Sequence, residues 1–155
     1  NKKLDEKTVY KLNFKAFYKD IQVKHCGWNN QKIKRLYNKN ITKYNSNDVH
    51  EDIITDSLKI EELKGNVEHY SYHTISEFII KADRYSTLFA TNNVGKKSSN
   101  PVKAFFNGMY SFFRTYILKQ GFRDGYVGLV IAFSHMVTNF YKYIKLYELN
   151  KELKK

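Results

Sequence analysis

Cysteine occurs once in this chain of 155 residues, at Cys26. No internal disulfide can form, and no cysteine-rich zinc site is available, which leans towards a reducing compartment. The short motifs of several common chemistries are also missing: HxH, HExxH and CxxC for metals, GxGxxG and the P-loop for nucleotides, GxSxG for serine hydrolases. Acidic residues are scarce, 15 against 27 lysines and arginines, for a formal charge of +12. Such a field attracts anions, whether nucleic acid, acidic headgroups or phosphorylated small molecules. A genome rich in lysine, asparagine, isoleucine and tyrosine codons would supply part of that excess, so charge alone is weak evidence.

A long hydrophobic run is lacking too. Gly125 to Tyr141 is uncharged but only 17 residues long, at the lower edge for a bilayer span. It carries Ser134, His135, Thr138 and Asn139 and leads into a basic amphipathic tail, so it reads as a buried or interfacial helix. The chain opens Asn-Lys-Lys, with no initiating methionine and no signal peptide, and is expected to be a piece of something longer.

What is present can form a core: 42% of residues are apolar and 16% aromatic. The length suits one domain, and two textures divide it. Over residues 1–73, Tyr10, Leu12 and Phe14 alternate with polar partners, as do Ile33, Arg35 and Tyr37, which predicts strands. Between them HCGWNN reads as a turn. Ile53–Leu58 and Lys64–Tyr72 read as further extended pieces, with Gly65-Asn66 as a turn. Residues 74–155 read as helical. Ile75, Phe78, Ile79, Ala82, Leu88 and Phe89 form an apolar stripe. Asn100-Pro101 predicts an N-cap followed by proline at the first helical position. The next helix places Val102, Phe105, Phe106, Met109, Phe112, Phe113 and Tyr116 on a broad face, expected to be core, and stops near Gly121. GFRDG links it to a last helix from Tyr126 to Leu149. Aromatic rings with lysine and arginine at the helix ends would also suit a membrane surface.

Three constellations are candidates for chemistry. His50-Glu51-Asp52 sets two carboxylates side by side, where neighbours decide which can act as a general base; a solvated helix or loop start is the plainer reading. His69 on an extended segment can ligate a metal, donate to a phosphate, or sit satisfied in a core. Trp28, followed by Lys34-Arg35, offers an aromatic platform beside cations, suited to sugars or bases, although a lone tryptophan is commonly core.

In order along the chain, KHCGW (Lys24–Trp28), KRLY (Lys34–Tyr37), VHE (Val49–Glu51), LKGNVEHYSY (Leu63–Tyr72), Tyr85 and FFRTYILKQGFRDGYVGL (Phe112–Leu129) resemble the C-terminal part of family 2 glycosyltransferases of bacterial lipopolysaccharide inner-core and envelope-glycan synthesis. The resemblance implies an α/β fold, α+β in this fragment: the acceptor-side half of a GT-A domain over 1–73, then about three long helices over 74–155. It implies an inverting enzyme that moves a hexose from a nucleotide sugar, UDP-linked by expectation, to a glycan or lipid-linked acceptor. Glu51 would be the catalytic base with Asp52 its rival, and His69 would lie near the metal or diphosphate. Trp28, Arg35 and His50 would line the acceptor pocket, while Lys96, Lys97, Arg114 and Lys119 would contact phosphate or anionic lipid. A divalent cation, Mg2+ or Mn2+, would be held mainly by an Asp-x-Asp motif that this sequence does not contain. The implied location is cytoplasmic, with peripheral contact at the inner face of the bacterial membrane, and the isolated chain is expected to be inactive. Two departures stand out: Tyr18-Lys19-Asp20 lacks a glycine usual near there, and Arg123 replaces an apolar residue. The rival readings are a basic nucleic-acid-binding module, for which no aromatic pair on a strand speaks, and a membrane-surface domain without catalysis.

Overall fold

A computed structural model describes residues 4–29, 31–45 and 52–154. The chain mixes a small antiparallel sheet with three helices. In chain order these are β1 (Thr8–Tyr18), β2 (Ile21–Gln22), β3 (Gln31–Leu36), β4 (Lys59–Tyr72), α1 (Ile75–Asn93), α2 (Pro101–Phe113) and α3 (Gly125–Glu152). β1 pairs antiparallel with β2 and with β3, and β4 also pairs with β1. Two compact units emerge and interleave along the chain: Asn1–Ala16 with Asn29–His69, and Phe17–Trp28 with Tyr70–Lys155.

In the first unit, Lys11 to Phe14 of β1 pair with Lys34 to Gln31 of β3, after an irregularity at Tyr10/Lys11. Val9 and Tyr10 are buried, and the Tyr10 hydroxyl accepts from the Asp5 N–H at 2.8 Å. Contacts with β4 advance together along both strands. The Lys59 N–H reaches the Lys7 carbonyl, Asn13 donates to Asn66 at 2.6 Å, and the Phe14 and His69 rings meet edge to face at 5.9 Å. The turn expected at Gly65-Asn66 is therefore absent, because β4 runs straight through it and Asn66 is held by Asn13. Gly65 instead supplies a backbone φ of +116°, which few other residues adopt. Ile53–Leu58 is likewise not a strand: only Ile53 is bridged, to Tyr44, and Asp56-Ser57 form a turn closed by Leu58 N–H to Thr55 C=O at 3.0 Å.

In the second unit, β2 returns on the end of β1 through Lys19-Asp20. Lys19 has φ +50°, so a lysine occupies the left-handed position that glycine would fill more easily. α1 starts from Thr74, whose side chain accepts from the Glu77 N–H, while the Glu77 carboxylate accepts from the His73 N–H at 2.8 Å. α2 starts from Asn100, which accepts from the Lys103 N–H at 2.7 Å, with Pro101 at the first helical position. α3 packs against both α1 and α2.

The helices meet largely through small residues, and the expected stripes hold only in part: Phe78 and Ala82 of the α1 stripe are buried. α1 buries Phe78, Ala82, Ser86 and Ala90, one residue per turn, and leaves Ile75 and Ile79 exposed. α2 buries Ala104 and Gly108, and its Val102, Phe105, Phe106, Met109 and Phe113 point outward. The reason is distance. A Cβ on Gly108 would lie 3.2 Å from the Met136 carbonyl oxygen and from the Phe140 Cβ, so the backbones approach as only small residues permit. α2 also does not stop in a glycine cap. It widens into a π-helical turn, Arg114–Leu118, and Gln120 takes the left-handed conformation at φ +56°. Gly121 is buried for a different purpose, since a Cβ there would be 2.9 Å from both the Cys26 Sγ and the Thr115 carbonyl oxygen. No helix among the described residues is long and apolar enough to cross a membrane.

Candidate functional site

The motif residues fall into both units, and each unit gathers its own set. In the first unit, Lys34 on β3 pairs with Asp52 at 2.6 Å and also donates to the Ile53 carbonyl at 3.4 Å. The Asp52 carboxyl accepts from the Ile53 N–H at 2.9 Å, and it is held below its ordinary pKa, first by the hydrogen bond from Lys34. Arg35 donates to the Tyr44 hydroxyl at 3.0 Å. The stretches on either side of residues 46–51 are laced together: Asn45 N–H to the Asp52 carbonyl at 2.9 Å, Asp52 N–H to the Asn45 side chain at 3.2 Å, and the Thr42 hydroxyl to the Ile54 carbonyl at 2.6 Å. His50 and Glu51 lie outside the described residues. His69 is exposed on β4, and its ring contact is with Phe14. Asp52 and His69 share no hydrogen bond among the described residues.

In the second unit, the KHCGW turn is clamped to the GFRDG turn. The Asp124 carboxylate accepts from the Lys24 N–H at 3.2 Å, the His25 N–H at 2.8 Å and the His25 Nδ1 at 2.8 Å. The Cys26 N–H donates to the Lys119 carbonyl at 3.1 Å. Cys26 and Gly27 both have positive φ, so the turn is a tight one that glycine eases. Burial first, and then the Asp124 charge, push the Cys26 thiol up to about 12, so it stays protonated and unreactive. Trp28 is half-buried. Its indole stacks on Tyr72 at 5.5 Å and Phe78 at 6.2 Å and lies 6.2 Å from His135. Tyr72 and Phe78 stack closely at 3.9 Å, and Lys81 sits 4.0 Å over the Tyr72 ring. The indole therefore belongs to an aromatic stack with part of its surface open.

The lysine and arginine candidates lie apart from one another in role. Lys119 runs beside Gly27, where a Cβ would fall 2.6 Å from its Nζ. Arg114 opens the π-helical turn and is exposed. Lys96 and Lys97 line a pocket between the α1–α2 loop and the end of α3. Sequence reasoning missed Asp124 and Lys34 as organising residues, although the RDG turn and KRLY carried them in plain view. It also missed Asn150, Lys151 and Lys154, which share the pocket of Lys96 and Lys97.

A metal site was tested on the donor set. Among the described residues no three histidine, cysteine, aspartate or glutamate side chains converge to hold an ion, and the ring contact of His69 is with Phe14. The described residues do not make a metal site by themselves. No protein-family model matches the chain, and no solved structure matches its fold.

Proposed function

We propose that this chain is the acceptor-side part of an inverting, metal-dependent glycosyltransferase of the GT-A type, transferring a hexose from a nucleotide sugar, UDP-linked in the first instance, to a lipopolysaccharide, capsule or other envelope-glycan acceptor. One observation supports the reading: within each unit a motif residue is held by a distant segment at or beside another motif. Lys34 of KRLY grips Asp52 beside VHE, and Lys24 and His25 of KHCGW grip Asp124 of GFRDG.

In such a reaction an acceptor hydroxyl loses its proton as its oxygen attacks the anomeric carbon and the nucleoside diphosphate departs. The base has to be anionic and free to take that proton. Asp52 is already engaged by Lys34 and Ile53, and its lowered pKa makes it a weaker acceptor. This favours Glu51, whose neighbour the lysine neutralises. In the second unit the open part of the Trp28 stack offers a flat apolar face to a sugar ring; in the first unit Arg35 is exposed, and it and His50 are kept as acceptor-side candidates on the resemblance alone. A divalent cation would neutralise the leaving diphosphate. No step is assigned to it, because the described residues provide no ligand set.

The test is UDP release from a panel of UDP-hexoses with a lipopolysaccharide-core acceptor, using this chain and the product of the complete gene. The chain alone is expected to be inactive. In the complete product, Glu51→Gln is expected to slow turnover about 10²–10⁴-fold, the usual worth of a general base, with donor binding intact and Asp52→Asn within a few-fold of wild type. If Asp52→Asn alone abolishes turnover, the base is Asp52. If both variants keep the wild-type rate, the proposal fails.

A second reading, compatible with the first, is peripheral attachment to an anionic bilayer at the cytoplasmic face. The outward aromatic side of α2 favours it, with Arg114 exposed at the end of the helix. Nucleic acid is not an expected partner.

A further inference from the structure

The loop between α1 and α2 closes on the C-terminal end of α3 around a pocket of about 460 Å³. Lys96, Lys97, Lys151 and Lys154 line it together with Tyr147 and Asn150, and among the described residues no carboxylate lines it. Among the described residues none of the four ammonium groups is in an ion pair. Lys96 donates to the Asn92 carbonyl at 3.1 Å, while Lys97 and Lys151 lie 5.5 and 5.6 Å over the Phe89 and Tyr147 rings. Glu148 and Glu152, on the same helix, are not in the lining.

The loop is fixed in place. The Asn150 side chain accepts from the Gly95 N–H at 2.9 Å and donates to the Lys97 carbonyl at 2.8 Å, so one amide holds the loop at two points. Gly95 makes this possible at φ +72°. The Ser99 hydroxyl adds a bond to the Tyr143 carbonyl at 2.7 Å. A helix C-terminus welcomes cations through its dipole, which accounts for Lys151 and Lys154. Lys96 answers the end of α1 in the same way, through the Asn92 carbonyl, but neither dipole explains why two such helix ends and Lys97 converge on one hollow. Four like charges gathered around one hollow repel one another until an anion joins them.

We propose that this pocket binds a phosphate group carried on a larger polar body, either a phosphorylated sugar or a lipid headgroup. Its volume lies in the range of small-molecule sites, well beyond a bare phosphate. Lysine suits phosphate as a mobile point charge, and Tyr147 supplies a ring for the attached body. The site gives a place to the phosphate or lipid contact that the resemblance implies for Lys96 and Lys97, and its test does not depend on transferase activity.

Glucose 6-phosphate, titrated into the isotope-labelled chain, is expected to shift the amide signals of Gly95, Lys96, Lys97 and Asn150 saturably, and glucose is expected to leave them in place. Lys97→Gln with Lys151→Gln should weaken that binding roughly tenfold. Lys39→Gln with Lys43→Gln, which removes equal charge from the other unit, should change it less than about twofold. Asn150→Ala should weaken it with all four lysines present. Phosphatidylcholine vesicles with and without phosphatidic acid separate the two sources. Competition by phosphatidic acid vesicles marks a headgroup, and indifference to them marks a soluble phosphate; both uphold the site. Absent saturable shifts, or an equal loss in the control pair, would overturn it.

Discussion

Asp124 holds His25 twice, by its backbone N–H and by its ring nitrogen, each at 2.8 Å, across 99 positions of sequence. Its side chain is only 4% exposed, so the carboxylate exchanges water for these bonds and that from Lys24. Removing it leaves buried donors unpaired. Asp124→Ala is expected to cost about 2–4 kcal/mol of stability in urea unfolding. Asp124→Asn should cost less, because one oxygen still accepts. A change below about 0.5 kcal/mol in both would show the clamp to be incidental.

A backbone approach makes the second prediction. A Cβ on Gly128 would lie 1.8 Å from the Gly121 carbonyl oxygen, closer than any relaxation of a side chain can relieve. Gly128→Ala is expected to cost at least about 3 kcal/mol, the scale of severe overpacking, or to prevent folding. Gly65→Ala provides the comparison: its Cβ meets open space, so only the φ of +116° is strained and the loss should be about 1–3 kcal/mol. Thermal melts of the two variants should rank them in that order.

His135 gives the chain an acid-sensitive point. Burial first, then the nearby charges of Lys119 and Lys142, lower its pKa from 6.5 to about 4, while its Nδ1 meets the Thr115 hydroxyl at 3.0 Å. Below pH 6.5 the unfolded chain takes up a proton that the folded chain refuses. Stability from this group is therefore complete above about pH 6.5 and falls as pH drops towards 4, by about 3 kcal/mol in all. His135→Gln should flatten that part of the pH–stability curve. An unchanged slope would place the acid response elsewhere.

How much of this was legible follows from what each signal depends on. The N-caps at Thr74 and Asn100 are local chemistry, and Asn100-Pro101 announces its helix unaided. Periodicity found α2 but assigned its faces wrongly. Seven large apolar residues look like core, yet Ala104 and Gly108 set the contact, because backbone distance outweighs side-chain hydrophobicity there. Gly65-Asn66 looked like a turn because glycine and asparagine tolerate one; only pairing with β1, far away in sequence, kept that strand straight. For the candidate site, KHCGW and GFRDG were visible as segments, whereas their union through Asp124 depends on tertiary structure.

The outward face of α2 supplies the last prediction. Phe106 is 64% exposed, and Val102, Phe105, Met109, Tyr110 and Phe113 are exposed beside it, with Arg114 exposed at the end of the helix. Burying one such phenylalanine in an apolar medium is worth about 1.5–3 kcal/mol, and a cation near an acidic bilayer about 1 kcal/mol. Sedimentation with phosphatidylcholine vesicles containing phosphatidylglycerol should therefore fall roughly tenfold or more for Phe106→Ser, and about fivefold for Arg114→Gln. The arginine effect should vanish at high salt and the phenylalanine effect should not, because only the former is screened. If the wild-type chain ignores vesicles but sediments as a dimer that Phe106→Ser dissociates, the face joins two copies of the chain and the bilayer reading is wrong.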